Sequence, residues 1–316
     1  MNYAIGIDLG GTSIKATAIT PAGESLGHSL VPFRPDEPGD WAAKIQAVIK
    51  MLQTGQTAKA AWIGLAAPGL AAADGRSTAH MPGRLQGLEG LDWTEFLKTK
   101  KPVLVLNDAH AALLGEAWLG AARPFDDCIL LTLGTGVGGA ILAGGKLLRG
   151  HLGRAGHLGH ASLDPGGRPD ICGMPGSLED AIGNCTIAQR SDGRFQTTHD
   201  LVKAHLAGDA AATKVWLKSV KALACAIGSF VNILDSEAVI VGGGIAQCGD
   251  ALFQPLEKYL REIEWQPGGQ RVKILPAKLG EFAGSIGAAG HVIRQSGGKT
   301  AGKGRVNLVP YVQKAR

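Results

Sequence analysis

At 316 residues the chain is long enough for two domains of ordinary size and a substantial core. Its 45% hydrophobic and 19% charged residues are the balance of a soluble globular protein, and its 47 glycines follow neither a collagen period nor a linker pattern. The net charge of +5 is matched by Lys299, Lys303, Arg305, Lys314 and Arg316 near the C-terminus, so charge gives no reason to expect a nucleic-acid surface.

In chain order, residues 5–15, IGIDLGGTSIK, form an apolar run that brings Asp8 to a glycine turn, Gly10-Gly11-Thr12. Glycines let the backbone approach an anion closely, and Thr12 and Ser13 add hydroxyl donors. In a dinucleotide fold or a Walker loop the glycines open a helix. Here the β-branched, near-alternating SIKATAIT follows and stops at Pro21-Ala22-Gly23, so the loop joins two strands. A single loop of this kind is more often an ordinary glycine-rich hairpin than a phosphate site. After a proline-rich connection at 32–39, Asp40 can cap a helix with Trp41, Ile45, Val48, Ile49 and Leu52 on one face. Residues 60–66 read as a strand ending at Pro68-Gly69, and 93–98 as a short helix. Residues 103–106 read as a buried strand ending in Asn107-Asp108, with a helix from 109 to about 121. Strands alternating with helices predict an α/β fold.

Residues 129–148, ILLTLGTGVGGAILAGGKLL, repeat the first design around Gly134-Thr135-Gly136. The stretch 150–175 is long, rich in Gly, His and Pro, and without periodicity; loops of that length are usually functional or disordered. Ser177 is expected to cap a helix reaching roughly to Arg190. A second helix, 209–234, offers Val215, Leu217, Val220, Leu223, Ile227 and Phe230 for packing. AVIVGGGIA at 238–246 is a buried-type strand ending in Gly242-Gly243-Gly244. A helix near 251–263, a strand at 271–275 and a small-residue helix at 282–293 complete the pattern. From Ser296 the sequence reads as a flexible tail, with NLVPYV at 307–312 as a candidate edge strand. The five cysteines, Cys128, Cys172, Cys185, Cys225 and Cys248, are scattered and odd in number, which suits a reducing cytoplasm better than a disulfide framework. All but Cys172 have apolar neighbours and are expected to be small buried side chains. Met1 leads straight into the first strand and no apolar run has the length of a membrane span, so a cytoplasmic location is expected.

Two similar hairpins suggest an internal duplication, and three glycine-rich loops at strand ends suggest a nucleotide held between two halves. Asp108 ends a buried strand, where ligands bind in open α/β sheets, and opens a helix. Capping that helix is the alternative role. Phosphoryl transfer needs one carboxylate to orient and deprotonate the acceptor hydroxyl and another at the metal, and Asp108 and Asp8 fit that division. His151, His157 and His160 offer another reading as a metal cluster, although two more convincing ligands would be needed.

The segments IGIDLGGTSIK, VLVLNDAHAALLGEA, LTLGTGVGGAIL, GRAGHLGHASL and AVIVGGGIA, in this order, closely resemble the ROK family of sugar kinases and repressors over nearly all of residues 3–293. The resemblance implies two ribonuclease H-like α/β domains of the actin/hexokinase (ASKHA) type with a central cleft. We place a small N-terminal domain at 1–112, completed by the helix near 282–295, a larger C-terminal domain at 113–281 and a flexible tail at 296–316. The resemblance also implies ATP and Mg²⁺ as cofactors, a hexose, N-acetylhexosamine or related polyol as acceptor, and a homodimer, with neither nucleic acid nor membrane as partner. By this match Asp8 contacts the metal-bound phosphate. Gly10, Gly11, Thr12, Lys15, Thr135 and Gly136 belong to the phosphate site, and Gly243 and Gly244 flank adenosine. Asn107 and Gly69 belong to the sugar site, Asp108 is the base, and His160 and Glu179 match sugar-contacting positions.

The chain departs from the family pattern in its sugar shell. The family's zinc motif has CxCGxxGC after GH; here residues 170–177 read Asp-Ile-Cys-Gly-Met-Pro-Gly-Ser, leaving His160 and Cys172 as residual ligands and Asp170 and Ser177 at two thiolate positions. Structural zinc is therefore not expected, and packing around Pro165, Pro169 and Pro175 with a Ser177 cap is expected to hold the loop. AGHLGH puts His157 where AGExGH has a sugar-binding Glu, and His80 in AHMPG stands where an Asn is common. A sugar-sensing regulator is the competing class, but the first loop begins at Asp8 and leaves no room for a preceding helix-turn-helix. A catalytically silent sugar-binding protein is a third reading, which the retained Asp8 and Asp108 disfavour.

Overall fold

The computed structural model describes residues 2–81, 85–298 and 300. The candidate edge strand at 307–312 and the tail from 301 onward lie outside the described residues. In chain order the elements are β1 (Ala4–Leu9), β2 (Ser13–Ile19), β3 (Ser25–Pro32), α1 (Asp40–Gln53), β4 (Trp62–Ala67), β5 (Leu70–Ala71), β6 (Thr78–His80), α2 (Trp93–Phe96), β7 (Leu104–Asn107) and α3 (Asp108–Leu119). They continue with β8 (Cys128–Leu133), β9 (Val137–Ala143), β10 (Lys146–Leu147), α4 (Leu178–Ile182), α5 (Ile187–Arg190), α6 (Thr198–Leu206), α7 (Ala210–Leu234), β11 (Ala238–Gly242), α8 (Asp250–Ile263), β12 (Lys273–Pro276) and α9 (Ala283–Gln295). Two compact units result: Met1–Pro124 with Gly145–Ala155 and Lys278–Arg316, and Phe125–Gly144 with Gly156–Ala277. The division at 112/113 expected from the sequence would cut through α3, and the first unit, not the second, holds the greater share of the chain.

The first unit is built on a five-stranded sheet of order β3-β2-β1-β4-β7, antiparallel across β3-β2-β1 and parallel across β1-β4-β7. Side chains alternate across a strand, so Ile5, Ile7 and Leu9 of β1 join a core with Trp41, Ile45 and Val48 of α1. Ala4, Gly6 and Asp8 face the opposite layer. There α9 lies so close that a Cβ on Gly6 would stand 1.8 Å from the Ser285 carbonyl oxygen. Thr17 and Ser285 join their hydroxyls at 2.8 Å, fixing α9 against β2. The same small-residue helix packs on α3, where a Cβ on Gly287 would come 1.7 Å from the Ala111 carbonyl. This contact keeps α3 within the first unit. The fully buried Glu116 carboxylate accepts from the backbone N–H groups of Ala121, Lys278 and Leu279, tying the returning chain to α3. Arg149 donates to the Ala72 carbonyl and His110 to that of Ala155, which holds 145–155 in this unit.

In the second unit the run β9-β8-β11-β12 pairs antiparallel, parallel, parallel, as β2-β1-β4-β7 does. Its core centres on Trp216, Val220, Leu223 and Ile227 of α7 with Leu252 and Leu256 of α8. Helix α7 is long and apolar enough to cross a membrane by length and composition, contrary to the expectation that no such segment exists. Its role as the central packing helix of this unit accounts for that apolarity. The helix expected from Ser177 to Arg190 is interrupted: α4 ends at Ile182, Gly183 turns extended (ψ 149), and α5 begins at Ile187. Helix α6 went unpredicted, although Thr197 and Asp200 form a reciprocal cap at its start. Of the cysteines expected inside, Cys128 is buried but Cys185 and Cys225 are exposed and Cys248 is half-buried. Cys185 lies in the turn after Gly183, and Cys225 on the outward side of α7.

Candidate active site

In the first unit Asp8 stands one residue before the end of β1, opposite Lys15 on β2 and Ala66 on β4. Asp108 is the first residue of α3. Asn107, not Asp108, is the N-cap: its Oδ1 accepts from the N–H groups of Ala109 and His110, and its Nδ2 donates to the Gly69 carbonyl at 3.0 Å. The helix start is thus held by the neighbouring residue, and the Asp108 carboxylate adds one bond from Ala109 N–H at 2.8 Å.

The two carboxylates feel each other. Burial, and then the negative charge of Asp108, push the Asp8 pKa up to about 7 against the pull of Lys15. Asp108 keeps a solvent-open side, but the protein behind it raises its pKa. The Ala109 N–H, the Asn107 side chain and Lys15 oppose that rise. A carboxylate kept short of compensating positive charge is suited to a divalent cation, which relieves the repulsion.

The turn between β1 and β2 is closed by Gly10 N–H to Ser13 carbonyl at 2.9 Å, and Thr12 carbonyl accepts from Phe33 N–H. Gly11 and Thr12 are exposed, and a Cβ on Gly11 would meet nothing within 4 Å, so the turn has an open face. Gly69 has φ +86, and a Cβ there would lie 2.4 Å from the His80 carbonyl. His80 itself is exposed, 3.9 Å from Glu89. Sequence reasoning missed Gly284: a Cβ on it would come within 2.6 Å of Asp8 Oδ2, so its bareness leaves room for the carboxylate. The small-residue composition of α9 was visible in the sequence; its partner was not.

In the second unit the turn Gly134–Gly136 is clamped by α4 and the residues after it. Asn184 N–H donates to Gly134 carbonyl, Cys185 N–H to Thr135 carbonyl, and Gly134 N–H to Gly136 carbonyl. Glu179 Oε2 accepts from Val137 N–H at 2.9 Å and lies 2.2 Å from where a Gly136 Cβ would stand. Glu179 therefore belongs to the architecture of this turn. Gly243 has φ +87 with the Leu133 carbonyl 2.3 Å from its absent Cβ, while Gly244 faces open space. Gly243 thus meets both conditions that exclude a side chain.

His157 is half-buried, and burial, with His160 nearby, lowers its pKa, so it is a neutral imidazole at neutral pH. The ligand atoms that gather among the described residues are not those of His151, His157 and His160 but those of His160, Asp170 and Cys172, within 4.8 Å of one another.

The ROK family profile matches residues 4–295. A glucokinase of Halalkalibacterium halodurans is 33% identical, with 93% of this chain and 95% of that protein aligned. An N-acetylmannosamine kinase of Yersinia pseudotuberculosis is 30% identical over 92% of this chain and 98% of its own length. The crystal structure of a ROK family glucokinase from Streptomyces griseus, in complex with glucose and AMPPNP, superposes with a TM-score of 0.78 at 28% identity and covers 93% of this chain and 100% of that one.

Proposed function

The chain belongs to the ROK family, and on that premise we propose a carbohydrate kinase that transfers a phosphoryl group from ATP to a hydroxyl of a hexose, N-acetylhexosamine or related polyol. The observation that carries this reading is the electrostatically coupled pair Asp8 and Asp108, one beside a glycine turn and the other at the start of a helix. Asp108 orients the acceptor hydroxyl and takes its proton as the O–P bond forms. Asp8 and the backbone of Gly10, Gly11 and Thr12, with Lys15, would hold the phosphates and a divalent cation. Mg²⁺ bound there would neutralise phosphate charge.

In the second unit Thr135 and Gly136 line phosphates and Gly243 and Gly244 flank adenosine, a reading supported by the exposure of Thr135, Gly243 and Gly244 and by the open space beside Gly244. The sugar-contacting residues in this reading are Gly69, His80 and Asn107 of the first unit and His157, His160 and Glu179 of the second. The like ordering of the two sheets supports a pair of ribonuclease H-like units of the actin/hexokinase type.

The test is ADP release from ATP and Mg²⁺ across glucose, mannose, their N-acetylated amines and cyclitols. We expect release with at least one hexose or N-acetylhexosamine. ADP release that no sugar or polyol stimulates would overturn the reading.

A further inference from the structure

The loop 158–177 closes on a single side chain. Asp170 is half-buried as a residue, but its carboxylate side chain is 0% exposed and sits at the loop's centre. One oxygen accepts from Cys172 N–H at 2.8 Å and Met174 N–H at 3.0 Å. The other accepts from His160 Nδ1 at 2.8 Å. A carboxylate offers about four acceptor sites, and donors of this loop occupy three of them. Ser177 Oγ caps α4 at the end of the loop, accepting from Asp180 N–H. His160 Nε2 lies 3.5 Å from Cys172 Sγ, so both ring nitrogens face protein partners. The loop's backbone closes around the same point through Leu163 N–H to Gly176 carbonyl, Gly176 N–H to Arg168 carbonyl and Ser162 Oγ to Pro175 carbonyl.

Structural zinc needs four tetrahedral ligands, commonly thiolates and imidazoles. These residues do not fit it. One thiol remains where the motif has three, Asp170 already accepts three hydrogen bonds from the loop, and the Ser177 hydroxyl caps α4. We infer that in this chain the Asp170 carboxylate takes the place of the zinc that the family resemblance implies, closing the 158–177 loop and orienting His160 by hydrogen bonds alone. The carboxylate does from the centre what a metal would do, gathering donors from both ends of the loop, except that it gathers N–H groups in place of lone pairs. The closure does not depend on which sugar the protein phosphorylates, so failure of the proposed activity would leave it intact.

The experiment uses the full chain expressed in zinc-supplemented medium. Elemental analysis should find less than about one zinc per ten chains, and neither a strong chelator nor added zinc should move the thermal midpoint by more than about 1 °C. One chelator-removable zinc per chain, with a fall in the midpoint on its removal, would overturn the inference. Asp170→Ala should lower the midpoint by about 5–10 °C; an unchanged midpoint counts against the hub. Should that variant fail to fold, the double variant Asp170→Cys, Ser177→Cys still decides, because restored thiolates beside His160 and Cys172 should take up one zinc and make the midpoint chelator-sensitive. A metal-free double variant would show that Asp170 does not occupy a metal's place.

Discussion

Asp8 in β1 and Thr132 in β8 stand at the same place in two like-ordered runs of strands. Asp8 lies between Lys15 and Ala66, and Thr132 between Gly138 and Gly242. Both strands lead into a glycine turn whose exposed backbone can approach an anion. At the outer parallel strand the units diverge again: β7 ends at Asn107 and Asp108 opens α3 directly, whereas β12 ends at Pro276. The repeated frame supplies turns of N–H groups, and in the proposed mechanism single side chains added to one copy would supply the acid–base chemistry. The first unit also carries a cost, because the charge of Asp108 adds to burial in raising the pKa of Asp8.

The sharpest way to break this asymmetry is Asp108→Asn. It should leave sugar and nucleotide binding in place and lower kcat by about 10²–10⁴, the usual contribution of a positioned general base. Steady-state kinetics showing near-normal turnover would remove Asp108 from the mechanism.

Asp8 gives the next largest effect, read as stability against pH. Its folded pKa of about 7 lies above the ordinary 3.8, so between these values the folded chain holds a proton that the unfolded chain has lost. Stability in Mg²⁺-free buffer should therefore be greatest below about pH 4 as far as this group is concerned, and fall as pH rises to about 7. The loss is at most about 4 kcal/mol, reduced by the water that reaches a half-buried carboxylate. Asp8→Asn should flatten the decline measured by thermal melts between pH 5 and 8. If the wild type and the variant share one slope, the first unit carries no such strain.

The smallest effect belongs to the second unit and concerns choice of substrate. Neutral His157 offers one donor and one acceptor where a carboxylate offers acceptors alone. Glucose should be a poor substrate, and His157→Glu should raise its kcat/KM by about 10–100-fold with little change in the KM for ATP. High wild-type glucose activity that the substitution leaves unchanged would sink this assignment.

The elements were legible wherever local chemistry decides. Asp8 before Gly10, the face of α1 from Trp41 to Leu52, and the buried β11 all follow from period and turn residues. What was illegible arose from distant partners. Gly183 breaks a helix that its neighbours would continue: the N–H groups of Asn184 and Cys185 turn to the 134–136 turn, and a Cβ on Gly183 would lie 3.1 Å from the Thr135 carbonyl. Gly284 reads as one more small residue of a helix until Asp8 is placed against it. Glu179 reads as a sugar contact by resemblance, and only its bond to Val137 N–H shows that it also fixes a turn.

The sequence by itself determined the α/β class, the repeated strand–turn–strand units, and the family, since these rest on period, glycine placement and order of motifs, all local along the chain. The tertiary structure alone decided that α3 stays with the first unit, that Asn107 frees Asp108 from capping, and that Asp170 rather than a thiolate set closes the 158–177 loop. Each of these depends on which donors and acceptors meet across tens or hundreds of residues. A buried polar group must find its partners wherever the fold supplies them, and no local pattern names them in advance.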